Sequence, residues 1–172
     1  SVLGGTLKQG ILKENDEIEI RKITQKEVIK MKTKILSLYK GSEKLKEIAP
    51  GGSTSIETEL DMSLGKSDSL SGSIVSHLGK LPEPQNKVIL KFTLFPKVFG
   101  ISENVEAEKL KLGELLMLSI NTSITGGSVS SIKENIVTID LKIPAFLFKS
   151  DNVSIARNIN SHWRLIGYGE IC

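Results

Sequence analysis

Apolar and polar residues alternate with a period of two in several short stretches of this chain. The alternation is clearest at residues 29–35, 54–60, 88–94 and 137–141. A period of two places successive side chains on opposite faces of an extended backbone, so each stretch predicts a half-buried β-strand. In residues 29–35 the face opposite the mostly apolar one consists only of lysines, which indicates that this face meets water.

Turn residues separate these stretches, and sustained helical periodicity is missing. Turns are predicted at Gly4-Gly5, Pro50-Gly51-Gly52 and Gly126-Gly127. The best helical candidate, residues 103–112, would form only one or two turns. Many short strands separated by turns predict an all-β protein with a closed architecture, a barrel or a sandwich, because closure leaves no exposed strand edge.

A proline-rich segment divides the chain into two strand-rich halves. Residues 81–86, LPEPQN, contain two of the five prolines within three positions. Proline fixes φ and lacks an N–H group, so it is excluded from a central strand. The prediction is therefore two closed β-barrels, at residues 1–80 and 87–172, joined by a short proline-containing linker at 81–86.

The composition limits which cellular compartment and which kinds of partner we expect for this protein. The chain has 172 residues, a formal net charge of +3, and 20 lysines against three arginines. Lysine-rich surfaces favour contact with a nucleic-acid backbone over base readout, if nucleic acid is bound at all. The only cysteine, Cys172, excludes an intrachain disulfide and a cysteine-ligated zinc site. No apolar run is long enough to span a bilayer and no signal segment is seen, so we expect a cytoplasmic protein.

The motifs of nucleotide binding and catalysis are missing from the sequence. It contains no G-x-x-x-x-G-K-[ST], no G-x-G-x-x-G opening a helix and no G-x-S-x-G, which are the loops that cradle phosphates or expose a nucleophile. His77 and His162 are far apart in the sequence and lack a third ligand pattern. We predict no catalytic, cofactor-binding or metal-binding residue in this chain. A hydrolase that uses His162 is the alternative from the enzyme class.

Residues 160–169, NSHWRLIGYG, concentrate residue types that are rare elsewhere in the chain, including its only tryptophan. Aromatic residues more often close a last strand than form a site, so we predict a structural role. Three side chains are predicted to face the core of the second barrel: Trp163, Leu165 and Tyr168. Trp163 is expected to be buried against strand residues such as Val137 or Ile139, while Arg164 faces outward.

The same segment resembles a known family. HWRLIGYG closely resembles the H-W-R-L-I-G-W-G that ends domain III in the gamma subunit of eukaryotic initiation factor two, and the archaeal counterpart is similar. No single motif is specific, but further segments resemble the family in the same order and cover nearly the whole chain. These segments are GGTLKQGILKENDEIEIR (4–21), APGG (49–52), LD (60–61), KSDSLSG (66–72), LGKLPE (78–83) and LLMLSINTSITGG (115–127).

The resemblance implies a GTPase domain followed by two β-barrels, in the arrangement of elongation factor Tu. This chain resembles the two barrels only and begins within the first strand region of domain II, so GTP and magnesium are expected in a domain outside it. The implied function of the parent factor is GTP-dependent delivery of methionylated initiator tRNA to the small ribosomal subunit. The chain itself would bind partners without catalysis. The alternative is the barrel pair of another tRNA-carrying translational GTPase, such as an elongation factor.

The implied partners are the alpha and beta subunits of the same factor, the initiator tRNA, the small ribosomal subunit and a guanine nucleotide exchange factor, with no membrane. By similarity, the alpha subunit docks on loops of domain II. A companion docking loop would precede Ser1, so we expect weak binding of alpha by this chain. The alpha-contact residues by similarity are Lys40, Gly41, Ser42, Glu43, Lys44, Lys46 and Glu47.

The strand after the APGG turn lies near the aminoacylated end of the tRNA in the family. By similarity, that region comprises Gly51, Gly52, Ser55, Ile56, Glu57 and Thr58. The family usually has glycine where Ser55 and Glu57 stand, and proline where Met62 stands. Glu57 would place a carboxylate near phosphates, which repel it unless the side chain points away.

Overall fold

The computed structural model describes residues 1–63, 69–98, 100 and 106–172. No α-helix occurs within these ranges, and the all-β prediction is confirmed. The strands in the described ranges are β1 Val2–Thr6, β2 Leu12–Lys13, β3 Glu17–Ile23, β4 Val28–Lys40, β5 Glu43–Leu45, β6 Glu47–Ile48, β7 Ser53–Thr58, β8 Ile74–His77, β9 Gln85–Leu94, β10 Leu115–Ile120, β11 Ser123–Lys133, β12 Ile136–Ala145, β13 Asn152–Ile159 and β14 His162–Ile171.

The first compact unit, Ser1–Leu81, contains a six-stranded and a two-stranded sheet. The larger sheet has the order β1-β7-β4-β3-β8, with β5 added to β4, and β2 pairs with β6. Strand β4 serves both parts of the larger sheet because its first half pairs with β3 and its second half with β7 and β5. Among the described residues the two end strands of this order, β1 and β8, do not pair with each other. A second closed barrel is therefore not seen, and its closure stays a prediction.

The second unit, Pro82–Cys172, is a closed barrel of six antiparallel strands. Its order is β10-β11-β12-β9-β14-β13, and β13 completes the ring by pairing with β10. One of the two predicted barrels is therefore confirmed. Strand β9 begins at Gln85, so the last two residues of the predicted linker belong to a strand.

Each unit has an apolar core of its own. In the barrel, the alternating pattern at 137–141 places Val137 and Ile139 inside and Thr138 between them on the outer side, as the period of two requires. The described part of the barrel contributes sixteen buried apolar residues to one cluster, and the first unit contributes six, among them Ile18 and Leu38. The barrel has the larger core.

The prediction that Trp163 is buried is wrong, and a β-bulge explains the error. Trp163 lies on the outer face of the barrel and 46% of it is exposed. In the pairing of β14 with β13, Leu165 faces Ala156 and Gly167 faces Ile155, so Ile166 is an extra residue. One extra residue reverses the alternation of the rest of a strand. Trp163 and Leu165 consequently turn outward and do not contact Val137 or Ile139 inside the barrel.

Three further expectations differ from the structure. Tyr168, predicted to face the core, is exposed on the outer side of β14. Arg164, predicted to face outward, is half-buried because it shares the inner face of the strand with Ile166, and its guanidinium lies against Gly100. The helical candidate is not helical at residues 106–112, which lack regular structure up to a turn at Leu112–Gly113, whereas residues 103–105 lie outside the described ranges.

Candidate partner-binding site

The segment predicted to contact an alpha subunit forms a tight hairpin between β4 and β5. Lys40 pairs with Glu43 across the two-residue turn of Gly41 and Ser42. Gly41 has a φ of 59°, at the first central position of the turn, where glycine is favoured because it lacks a Cβ. The hairpin therefore holds the segment in a defined shape and leaves its turn exposed.

Beyond the turn, alternate side chains of this segment face solvent. Leu45 packs against the core of the first unit, and its neighbours Lys44 and Lys46 are exposed. Among the described residues β5 pairs with β4 on one side only, which leaves its other edge available. Glu47 is exposed in β6. The segment offers lysine ammonium groups beside a free strand edge.

The segment predicted to lie near the tRNA end forms an exposed turn and strand β7. Gly51 and Gly52 are exposed in the turn before the strand. Two residues of the predicted set have core positions instead: Ile56 belongs to the apolar cluster, and Thr58 is buried with its hydroxyl donating a hydrogen bond to the Ser1 carbonyl oxygen at 3.1 Å. The accessible members of this set are therefore the two glycines, Ser55 and Glu57.

The structure brings the two predicted segments together on one sheet face through Tyr39. Ser55 of β7 and Lys44 of β5 each pair with Tyr39 of β4, from its two sides. Cross-strand partners share a face and neighbouring strands lie about 4.8 Å apart, so Ser55 and Lys44 are roughly 10 Å apart. Sequence patterns did not single out Tyr39, since only the strand register reveals its position. We call Ser55, Tyr39 and Lys44, with Glu57 and Lys46, the β7–β4–β5 face.

The carboxylate of Glu57 accepts a hydrogen bond from a residue of the neighbouring strand. The hydroxyl of Ser37 donates a hydrogen bond to Glu57 Oε2 at 2.7 Å, and the two residues are cross-strand partners. This bond keeps one carboxylate oxygen over β4. The structure thus shows how this glutamate is accommodated on the strand.

The two histidines differ in their surroundings. His77 Nε2 lies 2.9 Å from Asp16 Oδ2. Burial acts to raise the pKa of Asp16, but hydrogen bonds from His77 and from the Lys13 N–H, together with nearby positive charge, outweigh it and hold that pKa below its ordinary value of 3.8. His162 is exposed at the start of β14. Within the part of the chain that the structure describes, no cluster of three or more His, Cys, Asp or Glu is suited to a metal ion.

Arg157 fixes the segment that precedes β10. Its guanidinium donates to both carboxylate oxygens of Glu114 at 2.5 and 3.2 Å, and to the carbonyl oxygens of Glu108 and Lys109 at 3.0 and 3.4 Å. Both charged side chains are largely buried. A fork of charge-assisted bonds of this kind orients its partners strongly, so the role of Arg157 is structural.

The arrangement of strands is shared with a solved translation factor. The structure of a bacterial selenocysteine-specific elongation factor, EF-Sec, matches 99% of this chain and 25% of its own length, with a TM-score of 0.69 and 19% sequence identity. At that identity the likeness concerns the fold alone. It defines the class as an all-β module of the kind found in an elongation factor.

Sequence comparisons narrow this class to one family. Residues 86–171 match the family model described as "Initiation factor eIF2 gamma, C terminal", and the chain belongs to that family. Proteins named translation initiation factor 2 subunit gamma are similar over 99% of this chain, with 46% identity in Methanococcus vannielii, 43% in Methanocaldococcus jannaschii and 39% in Archaeoglobus fulgidus. The chain spans 43%, 43% and 41% of the lengths of these relatives.

The described ranges contain no helix with the length and apolar character needed to cross a membrane.

Proposed function

We propose that this chain works as the C-terminal binding module of a translation initiation factor 2 gamma subunit, in a GTP-dependent factor that carries methionylated initiator tRNA to the small ribosomal subunit. GTP, magnesium and GTP hydrolysis are assigned to a part of the factor outside this chain. The module itself binds partners and catalyses no reaction. In this proposal the sheet of the first unit serves as the second barrel of the pair.

The observation that carries the proposal is the β7–β4–β5 face. It presents the exposed ammonium groups of Lys44 and Lys46 beside a free strand edge, and places Ser55 on the same face. Membership of the gamma family supports an alpha subunit as the partner at Lys44 and Lys46. It also supports the methionylated end of the initiator tRNA as the partner near Gly51, Gly52 and Ser55. The beta subunit, the small ribosomal subunit and an exchange factor complete the proposed partners.

Binding of purified alpha subunit tests the first assignment. The double variant Lys44→Glu/Lys46→Glu is compared by calorimetry with Lys26→Glu/Lys80→Glu, which makes the same change in net charge at two other exposed lysines of the first unit. We expect the first variant to bind alpha at least tenfold more weakly than the unmodified chain, and the control within about twofold. Equal loss in both variants would show a general effect of net charge, and no loss in either would remove the hairpin as the contact.

Binding of methionylated initiator tRNA tests the second assignment. Glu57→Gln removes a carboxylate charge that repels phosphates but retains an oxygen that accepts the Ser37 hydroxyl hydrogen. We expect tRNA affinity to rise about threefold, in line with roughly 0.7 kcal/mol for one partly exposed charge interaction. Glu59→Gln, two residues further at an exposed position, is the matched control. An equal rise in both variants would place the tRNA elsewhere.

A further inference from the structure

One hairpin carries an excess of positive charge as large as that of the whole chain. Residues 17–34 comprise β3, the turn after it and the first half of β4, and contain six basic and three acidic side chains. This excess of three equals the formal net charge of the chain, +3, so the basic and acidic residues of the remainder balance. The β3–β4 hairpin is therefore a candidate contact for an anionic partner.

Three of the basic residues form a row on one face of β4. Lys30, Lys32 and Lys34 occupy alternate positions of the strand. The residues between them pair with β3 residues that include the fully buried Ile18 and Ile20. Cross-strand partners share a face, so the three lysines lie on the side of the sheet away from this core. We call them the lysine stripe, which spans roughly 13 Å at about 3.3 Å per residue.

The acidic residues of β3 do not neutralise the lysine stripe. Glu19 lies opposite Lys32, but its side chain is buried and forms an ion pair with Arg21 at 3.3 Å. Glu17 lies opposite Lys34 and is exposed. Among the described residues, no ion pair includes a member of the lysine stripe. Its ammonium groups are therefore available to an anion from outside the chain.

The lysine stripe borders an open edge of the sheet. Strand β4 pairs with β7 and β5 only from Ile35 onward, so within the described ranges residues 28–33 have a strand partner on one side only. Lysines at such an edge also discourage pairing with strands of other molecules, which is the alternative explanation of the stripe. That role requires no ligand, whereas a role in binding predicts an affinity that depends on salt.

The residue types of the hairpin distinguish contact with phosphates from contact with bases. Single-stranded nucleic acids are held largely by aromatic side chains on which the bases stack, and residues 17–34 contain no aromatic residue. Lysine provides a point charge, which suits the phosphate backbone better than the base edges. An RNA duplex is recognised mainly by its shape and backbone, so it is the polyanion that fits the stripe best. Membership of a translation factor family supports RNA over a lipid surface.

We propose that the lysine stripe binds the phosphate backbone of an RNA duplex without sequence preference. The proposal rests on the proposed function in one respect, because initiator tRNA and the small ribosomal subunit both contain RNA duplexes. The surface itself is separate from the β7–β4–β5 face, since it uses the first half of β4 and not the second.

A synthetic RNA stem-loop of about 16 base pairs, the length that a double-stranded RNA-binding domain covers, is the probe. Fluorescence anisotropy of the labelled stem-loop measures its affinity for the chain at a series of salt concentrations. We expect a micromolar dissociation constant at about 50 mM salt, and a logarithm of affinity that falls linearly with the logarithm of salt concentration. Lys30→Gln/Lys32→Gln removes two exposed charges. We expect this variant to bind at least fivefold more weakly, with a salt slope smaller by about 2, because each lysine–phosphate contact contributes about 1.

Two further variants are matched controls. Lys91→Gln/Lys142→Gln removes the same charge from two exposed lysines on β9 and β12 of the barrel. Lys30→Arg/Lys32→Arg retains both charges at the positions of the stripe. We expect both controls to bind the stem-loop within about twofold of the unmodified chain, with an unchanged salt slope. Thermal unfolding shows whether each variant remains folded.

Competition identifies the source of the duplex. Initiator tRNA without its amino acid, or isolated small ribosomal subunits, are added to the chain bound to the labelled stem-loop. We expect at least one of them to displace the stem-loop, and the one that acts at the lower concentration is the natural source. Displacement by neither would contradict the proposal.

Other results would also overturn it. Equal weakening in Lys91→Gln/Lys142→Gln would reduce the effect to net charge. Unchanged affinity and salt slope in Lys30→Gln/Lys32→Gln would leave the lysines only the protection of a strand edge. Tighter binding of single-stranded RNA of the same length would assign the contact to stacking elsewhere, and binding of phosphatidylserine vesicles without binding of the stem-loop would assign the stripe to a membrane. The stem-loop carries no methionyl group and alpha is absent, so this assay and those of the proposed function fail separately.

Discussion

Gly169 lies inside the barrel at a position where no side chain fits. A Cβ atom built there would lie 2.8 Å from Leu90 Cβ and 3.0 Å from Leu90 Cδ1, which is closer than carbon atoms approach without repulsion. We predict that Gly169→Ala lowers the free energy of unfolding by about 1–3 kcal/mol, because the added methyl group displaces Leu90 from a packed core. Urea unfolding measures this change.

Gly5→Ala is the matched control. Gly5 lies in a strand, and an added Cβ would have no atom within 4 Å. We expect a change within about 0.5 kcal/mol, as for surface positions generally. If both alanine variants unfold at the same urea concentration, then the lack of space for a side chain is not the reason that glycine is needed at position 169.

Trp163 and Ile166 stand three residues apart but on opposite sides of the barrel wall. Ile166 is fully buried, so Ile166→Ala is expected to cost about 2–5 kcal/mol through lost burial and the cavity that remains. Trp163→Ala removes a side chain that is already about half exposed to solvent, and we expect the free energy of unfolding to fall by about 1 kcal/mol or less. Thermal unfolding of the two variants gives the comparison. An equal cost would contradict the outward orientation of Trp163.

At the scale of elements, the sequence predicted strands well and strand irregularities poorly. The alternation at 137–141 correctly placed Val137 and Ile139 inside, because no irregularity interrupts that part of β12. In β14, one extra residue at Ile166 reverses the alternation. Neither propensity nor periodicity marks a bulge of this kind, because it is fixed by pairing with another strand. The orientation of Trp163 was therefore not accessible from the sequence.

Arg157 connects β13 to the segment before β10, and its loss is expected to loosen that segment. Arg157→Met keeps much of the side-chain volume but removes the hydrogen bonds to Glu114, Glu108 and Lys109. Bonds to charged groups contribute about 1.5–3 kcal/mol each, so we predict measurable destabilisation and faster amide exchange at residues 106–114. Hydrogen exchange with mass spectrometry measures the local effect. Unchanged exchange there would show that other contacts hold the segment.

The contact of Asp16 with His77 couples β8 to the turn before β3 and makes stability depend on pH. The pKa of Asp16 is below its ordinary value of 3.8 in the folded protein. A lowered pKa stabilises the fold at pH values above the unfolded pKa, and the contribution is lost as the pH falls through the folded pKa. We predict that wild type exceeds Asp16→Asn in stability by up to about 1 kcal/mol at pH 7, as for partly exposed pairs. The difference should shrink below about pH 4, and a difference independent of pH would contradict the pairing.

At the scale of the whole molecule, the resemblance correctly indicated the family and one closed barrel, whereas the layout of the candidate site needed the structure. Ser55 and Lys44 are eleven positions apart in the sequence and were assigned to two different partners. Their common contact with Tyr39 follows from the registers of β7 and β5 on β4. Register depends on tertiary pairing, so the β7–β4–β5 face could not be derived from local patterns.

The separate cores predict that the two units respond separately to core damage. Ile139 belongs to the barrel cluster and Ile18 to the cluster of the first unit, and both are fully buried. Truncation of either to alanine is expected to cost about 2–5 kcal/mol. Because the described barrel core is the larger one, we expect the first unit to unfold at a lower urea concentration.

Ile18→Ala should lower the urea concentration at which the first unit unfolds and leave amide protection in β9 to β14 unchanged. Ile139→Ala should instead reduce amide protection in those strands. Hydrogen exchange at increasing urea concentrations follows both units at once, and loss of protection in all strands together in either variant would show that the chain unfolds as one cooperative body.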